Sequence, residues 1–316
     1  MNYLNSYQLY LRDECGRSQR TIEAYLGDLY RFRNFLDNRS VGVPLRWEEV
    51  GARDIRAWFG SLDNPSTMYL RRLRSSLVTF YEYLIHTEKV MQDNPAKEIA
   101  TRKRPFRHPS FLTVEESTRL IKAAVEHSPA RNRVRNWTTV AFLLHTGLRI
   151  SEFCAMREQD ISYKGGFPNI IRVIGKGDKE RKVTLSEQAQ RALYQWLQHR
   201  KRIIIELPPD KLLDSSYVWI TPSGNRSGNA WHQDSVRKMI SKMGKLAGLS
   251  KHVHPHLLRH TFATEAVRAG AKLHAVSAML GHSSIGTTGI YLHADEAELE
   301  AVAAVLPNMM NFSNVA

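Results

Sequence analysis

The densest run of reactive side chains lies between His252 and His293, HVHPHLLRHTFATEAVRAGAKLHAVSAMLGHSSIGTTGIYLH, which gathers His256, Arg259, His282 and Tyr291 in one short reach. From Lys251 to Ile290 the only carboxylate is Glu265. Such a stretch can hold an anion through cationic donors and attack it with a phenol, and it has few of the oxygen ligands that Mg²⁺ requires. A free tyrosine is only about 0.1% phenolate at neutral pH. A tyrosine nucleophile therefore needs a proton acceptor and a cationic field. A phosphodiester is the matching electrophile, because its transition state concentrates negative charge on the non-bridging oxygens. Two arginines can hold those oxygens with paired, charge-assisted bonds, and a lysine or histidine can protonate the leaving oxygen.

The elements that must position these groups follow from spacing. His256, Arg259 and His260 stand at i, i+3 and i+4 and share one helix face. Leu258, Phe262 and Ala266 form a core-facing stripe on another face, Pro255 fits the first turn, and Gly270 ends the helix. A second helix, about 272–280, stops at Gly281, which puts His282 at a fixed turn. Ser283 or Ser284 can cap a further helix that carries Tyr291. Gly286 and Gly289 each weaken that helix by about 1 kcal/mol against alanine. The tyrosine is therefore expected on a mobile element that docks only in an assembled complex.

His252, His254, His256 and His260 could suggest a metal site, but no Cys or carboxylate partners converge with them and there is no HExxH motif. No metal is expected. His252 and His254 read as loop residues, and His260 as a packing or supporting histidine.

With 316 residues and 42% hydrophobic content, the chain is long enough for two soluble domains. No signal peptide or membrane span is legible, and Cys15 and Cys154 lie far apart, so a reducing cytoplasm is the expected compartment. The net charge of +14 favours a polyanionic partner. Its distribution is uneven: residues 1–100 carry 14 bases and 13 acids, and residues 101–110 carry four bases (Arg102, Lys103, Arg104, Arg107) and no acid.

The first hundred residues read as helices. Ser18 caps one with Ile22, Leu29, Phe32 and Leu36 at helical spacing, a second runs from about 54 to 62, and a third follows Pro65 with Leu73, Leu77, Phe80 and Leu84. Arg71, Arg72 and Arg74 near the start of the third offer a solvated face or a phosphate-contacting edge. The proline-rich basic segment 93–109 marks a domain boundary. Thr113 and Glu116 have capping-box spacing, and a helix over 131–146 stops at Gly147, just before Arg149 and a short helix with Glu152. Two β-rich runs flank Gly175-Lys176-Gly177-Asp178, which makes a hairpin with Lys176 near its turn.

Four segments in this order, TGLRISE around Arg149, GKGDKER around Lys176, HLLRHTFAT around His256 and Arg259, and LGHSSIGTTGIYLH around His282 and Tyr291, resemble the tyrosine recombinases of the phage-integrase family, in plan those of the bacterial Xer type. That resemblance implies a mainly α fold with a small β-sheet (α+β). It implies a helical core-binding, SAM-like domain over 1–100, a basic linker over 101–112, a catalytic domain over 113–293, and a tail over 294–316 that packs on a neighbouring protomer. By the same resemblance Tyr291 forms a 3′-phosphotyrosine and releases a 5′-hydroxyl, Arg149 and Arg259 clamp the scissile phosphate, and His282 helps hold it. Lys176 would be the general acid, His256 would assist proton transfer, and Glu152 would orient Arg149 or a nearby histidine. Arg71, Arg72, Arg74, Arg102, Lys103 and Arg104 would contact the DNA backbone.

The implied partner is double-stranded DNA with a specific recombination site, bound by a homotetramer, with or without a partner recombinase or accessory protein. No cofactor, ATP or metal is implied, since a phosphotyrosine linkage conserves the bond energy, and the sequence has no G-x-x-x-x-G-K-[ST] loop. The role would be chromosome-dimer resolution or the integration and excision of a mobile element. A type IB topoisomerase-like relaxing enzyme and a non-catalytic DNA-binding protein on the same fold are the alternatives. The helical N-terminal region and apolar tail weigh against the first, and the full set of expected residues against the second.

Overall fold

Helices dominate, as the apolar spacing requires, and a computed structural model describes them over residues 3–39, 45–100, 110–175, 179–208, 216–222, 224, 227–281 and 296–309. Lys176, His282 and Tyr291 lie outside the described residues, as do Arg102, Lys103, Arg104 and the segment with Gly286 and Gly289. The chain divides into two units, Met1–Arg107 and His108–Ala316.

The first unit contains α1 (Tyr3–Leu9), α2 (Gln19–Arg39), α3 (Ala52–Ser61) and α4 (Thr67–His86). Sequence spacing anticipates the last three. It misses α1, whose Tyr3, Leu4 and Tyr7 are buried. Local capping fixes the helix starts: Ser66 Oγ accepts from Tyr69 N–H at 3.1 Å, and Asp54 Oδ2 accepts from Gly51 N–H at 3.1 Å. The core is rich in aromatics, with Phe32 against Trp58 at 4.8 Å and Trp47 edge-on to Phe80 at 4.8 Å between ring centroids.

Two of the three arginines near the start of α4 are held within this unit. Arg72 donates to buried Asp28 at 2.6 Å, where Ser76 and Arg31 also bond. Arg74 donates to the carbonyls of Ile99 and Lys97 at 2.6 and 3.0 Å, which ties the segment after α4 back onto it. A buried carboxylate and a run of otherwise unpaired carbonyls both require such donors. Of the three, Arg71 is the exposed one, and Arg72 and Arg74 are half-buried.

The second unit contains α5 (Val114–Glu126), α6 (Ala130–Thr146), α7 (Ile150–Ala155), β1 (Ile161–Lys164), β2 (Phe167–Ile174), β3 (Glu180–Thr184), α8 (Glu187–Glu206), α9 (Gln233–Leu246), α10 (Pro255–Arg268), α11 (Leu273–Leu280) and α12 (Glu296–Ala304). Helix α6 is buried from Arg135 to Thr146 and packs on α5, α8 and α10. It is buried nearly all round and runs through the middle of the core, carrying Arg135, Asn136 and His145 there along with its apolar side chains. The strands form one antiparallel sheet in the order β1-β2-β3, with Ile161 opposite Ile171 and Ile174 opposite Glu180. The β2–β3 hairpin is the expected one. β1, a short polar strand, carries too little pattern to be read in advance.

Helix α12 packs on α11 and β3 of its own unit, where Val302, Ala303 and, just past the helix, Leu306 are buried. Glu298 accepts from Lys272 at 2.9 Å and pairs with His274 at 2.8 Å. The sequence reading sends this tail to a neighbouring protomer. Within the single chain its apolar face is covered in cis, because α11 and β3 offer the nearest apolar surface.

Candidate active site

Gly147 ends α6 in the left-handed region at φ 61°, and a methyl there would meet Phe262 Cδ1 at 2.5 Å and Leu280 Cδ2 at 2.7 Å. A glycine is therefore required, and through it the chain turns sharply to Arg149 at the start of α7. Glu152, one turn into α7, accepts from the backbone N–H of Arg149 at 2.8 Å and from its Nη1 at 2.8 Å. One carboxylate thus caps the helix and orients the side chain of its capping residue.

Helix α10 brings the second arginine. His254 caps it, with Nδ1 accepting from Leu257 N–H at 3.1 Å. This gives a structural task to a histidine that the sequence assigns to a loop. Leu258, Phe262 and Ala266 face the core. Arg259 is 8% exposed and donates to the carbonyl of Gly147 at 2.8 Å and that of Leu280 at 2.6 Å. His256 and His260 stand exposed on the same helix face. Of the two readings of His260, packing or supporting, the exposed ring at the edge of the site fits only the supporting one.

These side chains converge on one cleft of about 230 Å³, lined by Arg149, His256, Arg259, His260, Ala263 and Leu280. Its floor is the C-terminal end of α11, where three arginines cap three successive carbonyls: Arg181 on Met279 at 2.7 Å, Arg259 on Leu280 at 2.6 Å, and Arg149 on Gly281 at 2.9 Å. The last carbonyls of a helix lack intrahelical partners and carry partial negative charge, so cations are favoured there. Gly281, at φ 64°, closes the helix immediately before His282.

The electrostatics suit a phosphate. Burial lowers the Arg259 pKa, and the nearby charge of Arg149 lowers it further, to about 10, so Arg259 is still a cation at neutral pH. The partial burial of the His256 ring, then the charge of Arg259, lowers its pKa below the ordinary histidine range. His256 is thus neutral near pH 7 and can accept a proton. Burial works to raise the Glu152 pKa, but the hydrogen bonds and charges of Arg181 and then Arg149 overcome it and keep Glu152 ionised. The rings of His252, His254 and His256 stand 5.6 and 6.4 Å apart in sequence. Among the described residues no three His, Cys, Asp or Glu side chains gather as metal ligands.

The structure therefore brings together Arg149, Glu152, His256, Arg259 and His260. It adds Arg181, which sequence reasoning leaves without a task. A signal for it exists: on β3, Arg181 shares its face with buried Val183, and an inward arginine demands a buried acceptor.

The chain is similar to known proteins over most of its length. The model of the phage integrase family matches residues 110–298, and that of the phage integrase N-terminal SAM-like domain matches residues 4–88. A protein named tyrosine recombinase XerC from Thermodesulfovibrio yellowstonii is 31% identical over 295 residues, which span 93% of this chain and 92% of that one. Two solved structures share the fold. One is the XerH site-specific recombinase bound to palindromic difH substrate in a post-cleavage complex, at TM-score 0.66 and 24% identity, covering 89% of this chain and 78% of that one. The other is a lambda integrase tetramer bound to a Holliday junction, at TM-score 0.65 and 20% identity, covering 91% and 79%. The chain belongs to the phage integrase family, as a tyrosine recombinase of the Xer type. No described helix is long and apolar enough to cross a membrane.

Proposed function

We propose that this protein cleaves and rejoins DNA at a specific site through a covalent 3′-phosphotyrosine on Tyr291, in chromosome-dimer resolution or in the movement of a mobile element. The observation that carries the reading is the convergence of Arg149 and Arg259 beside His256, in one cleft at the end of the helix that leads to His282. In the forward step the Tyr291 oxygen bonds to phosphorus and the bond from phosphorus to the 5′-oxygen breaks. His256 takes the phenol proton, and Lys176 gives one to the leaving oxygen. Arg149 and Arg259, with His282, hold the non-bridging oxygens as charge develops on them. A 5′-hydroxyl from the same or a partner strand reverses the step, so the energy of the broken bond is kept in the protein–DNA linkage.

The basic charge of the chain and the DNA complexes of its structural neighbours support a tetramer on double-stranded DNA, with Arg71, Arg102, Lys103 and Arg104 as backbone contacts. In that assembly α12 would leave its seat on α11 for the equivalent seat on a neighbour. Deletion of 298–316 should then abolish cooperative synapsis, and undiminished synapsis would refute the exchange.

A nicked suicide substrate tests the reaction. Wild type should yield covalent protein–DNA product in EDTA, and Tyr291→Phe should yield none. Product that survives the substitution, or that requires Mg²⁺, would overturn the proposal.

A further inference from the structure

Arg181 stands behind the clamp and lines no part of the cleft. Its two terminal nitrogens donate to the two oxygens of Glu152 at 2.9 and 2.8 Å, and its Nε donates to the Met279 carbonyl at 2.7 Å. Both members of the pair are sequestered, with side-chain exposures of 11% and 4%. The same Glu152 oxygens also receive the side chain and the backbone N–H of Arg149. Glu152 therefore has four N–H donors, which fills the acceptor capacity of a carboxylate. The base of the Lys176 hairpin lies alongside: a Cβ on Gly175 would sit 3.6 Å from Arg181 Nη1 and 3.9 Å from Glu152 Oε1.

We infer that Arg181 is a positioning residue for strand cleavage: by sharing Glu152 it keeps Arg149 aimed and its charge from being cancelled, and by capping Met279 it fixes the helix end that leads to His282. The inference rests on the proposed role of Arg149 at the scissile phosphate. Its electrostatic core is a charge count. A lone Arg149–Glu152 pair is neutral and offers an incoming phosphate little field. With Arg181 on the far side the three groups carry a net positive charge, and Glu152 is held between two forks instead of closing on one. The long-range part is geometric. Residues from α7, β3 and the end of α11 are bonded through one guanidinium, so strand β3, which leaves the hairpin of Lys176, shares a rigid support with the clamp.

The test is single-turnover cleavage of nicked suicide duplexes by the full chain. One duplex carries an ordinary phosphodiester at the scissile position. The other carries a methylphosphonate, in which a methyl group replaces one charged non-bridging oxygen. Arg181→Gln should cleave the phosphodiester on the order of 10²-fold more slowly than wild type, the scale expected when a reacting constellation is misaligned by a remote change. Its affinity for intact duplex should stay within about twofold, because ground-state contacts are not touched. On the methylphosphonate the defect should shrink by about tenfold, since the charge that Arg149 must neutralise is gone. Arg181→Lys, which keeps the charge but not the fork, should fall between the two and supplies the reading if Arg181→Gln folds poorly.

Equal slowing on both substrates would mean a general loss of structure and would overturn the inference. So would cleavage at the wild-type rate by Arg181→Gln. Tyr291→Phe run in parallel separates the two levels. Covalent product from that variant would defeat the proposed chemistry itself, whereas an unimpaired Arg181→Gln beside an inactive Tyr291→Phe defeats only the role of Arg181.

Discussion

Arg149 and Arg259 donate to one shared acceptor, the carbonyl oxygen of Leu280, at 3.4 and 2.6 Å. Two cations would not settle so close without compensation, and the fold supplies it through Glu152 and the negative end of α11. The described bonds engage two of the five N–H groups of Arg259, on Gly147 and Leu280, which leaves donors for a phosphate. A lysine at 259 would keep the charge but could not span both carbonyls and a phosphate oxygen. Arg259→Lys is expected to cleave on the order of 10²–10³-fold more slowly, or about 3–4 kcal/mol in barrier, with duplex affinity retained. Single-turnover cleavage near the wild-type rate would show that charge alone suffices.

Gly147 couples the clamp to the core. Alanine there must adopt the left-handed region and push its methyl into Phe262 and Leu280, both of which are buried. Strain of about 1–2 kcal/mol from the backbone adds to overpacking of about 1–3 kcal/mol. Gly147→Ala should therefore lower the unfolding free energy by roughly 2–5 kcal/mol. Because the Gly147 carbonyl also holds Arg259, cleavage should drop even at temperatures where the variant is folded. Urea denaturation and cleavage on the same sample check both.

Local spacing carries a good part of this site. His256, Arg259 and His260 fall on one face of α10 by periodicity alone, and Thr113 and Glu116 announce the start of α5. Contacts that cross the chain are not carried by spacing. Arg181 reaches Glu152 across 29 residues and Met279 across 98, and the capping of α11 by three arginines exists only once β3, α7 and α10 have met. Arg72 shows the same limit. Its partner Asp28 sits on the apolar stripe of α2, between Tyr25 and Phe32, where an acid needs a cation, but nothing local says which cation comes. Strand β1 and helix α1 are short and escape for want of periods to count.

His145 is expected to make the catalytic unit acid-sensitive. It is fully buried, neither ring nitrogen has a hydrogen-bond partner among the described residues, and burial pushes its pKa down to about 4. Unfolded histidine titrates near 6.5, so between these values the unfolded chain binds the proton and the folded chain does not. Stability contributed by keeping His145 neutral is whole above pH 6.5 and is lost progressively as pH falls towards 4. The gap between the two states corresponds to on the order of 3 kcal/mol at full extent. His145→Leu should flatten this part of the pH–stability curve. Chemical denaturation of both proteins at pH 7 and pH 4.5 measures the difference, and parallel losses would show that another group is responsible.

His256 sets the acid limb of cleavage if it accepts the Tyr291 proton. Only its neutral form is competent, so activity is lost as pH falls through its folded-state pKa. Partial burial, then Arg259, His260, Arg237 and Arg149, all lower that pKa, which puts the limb below the ordinary histidine value of about 6.5. The second-order rate constant at subsaturating DNA reports the free protein. Its acid limb should have a midpoint below the ordinary histidine value of about 6.5. His256→Asn should cleave slowly at all pH values and lose the limb, because asparagine can hold a hydrogen bond but cannot take the proton. A limb that persists unchanged in His256→Asn would transfer the proton-accepting role to another group, and His260, exposed on the same face of α10, would be the next to substitute.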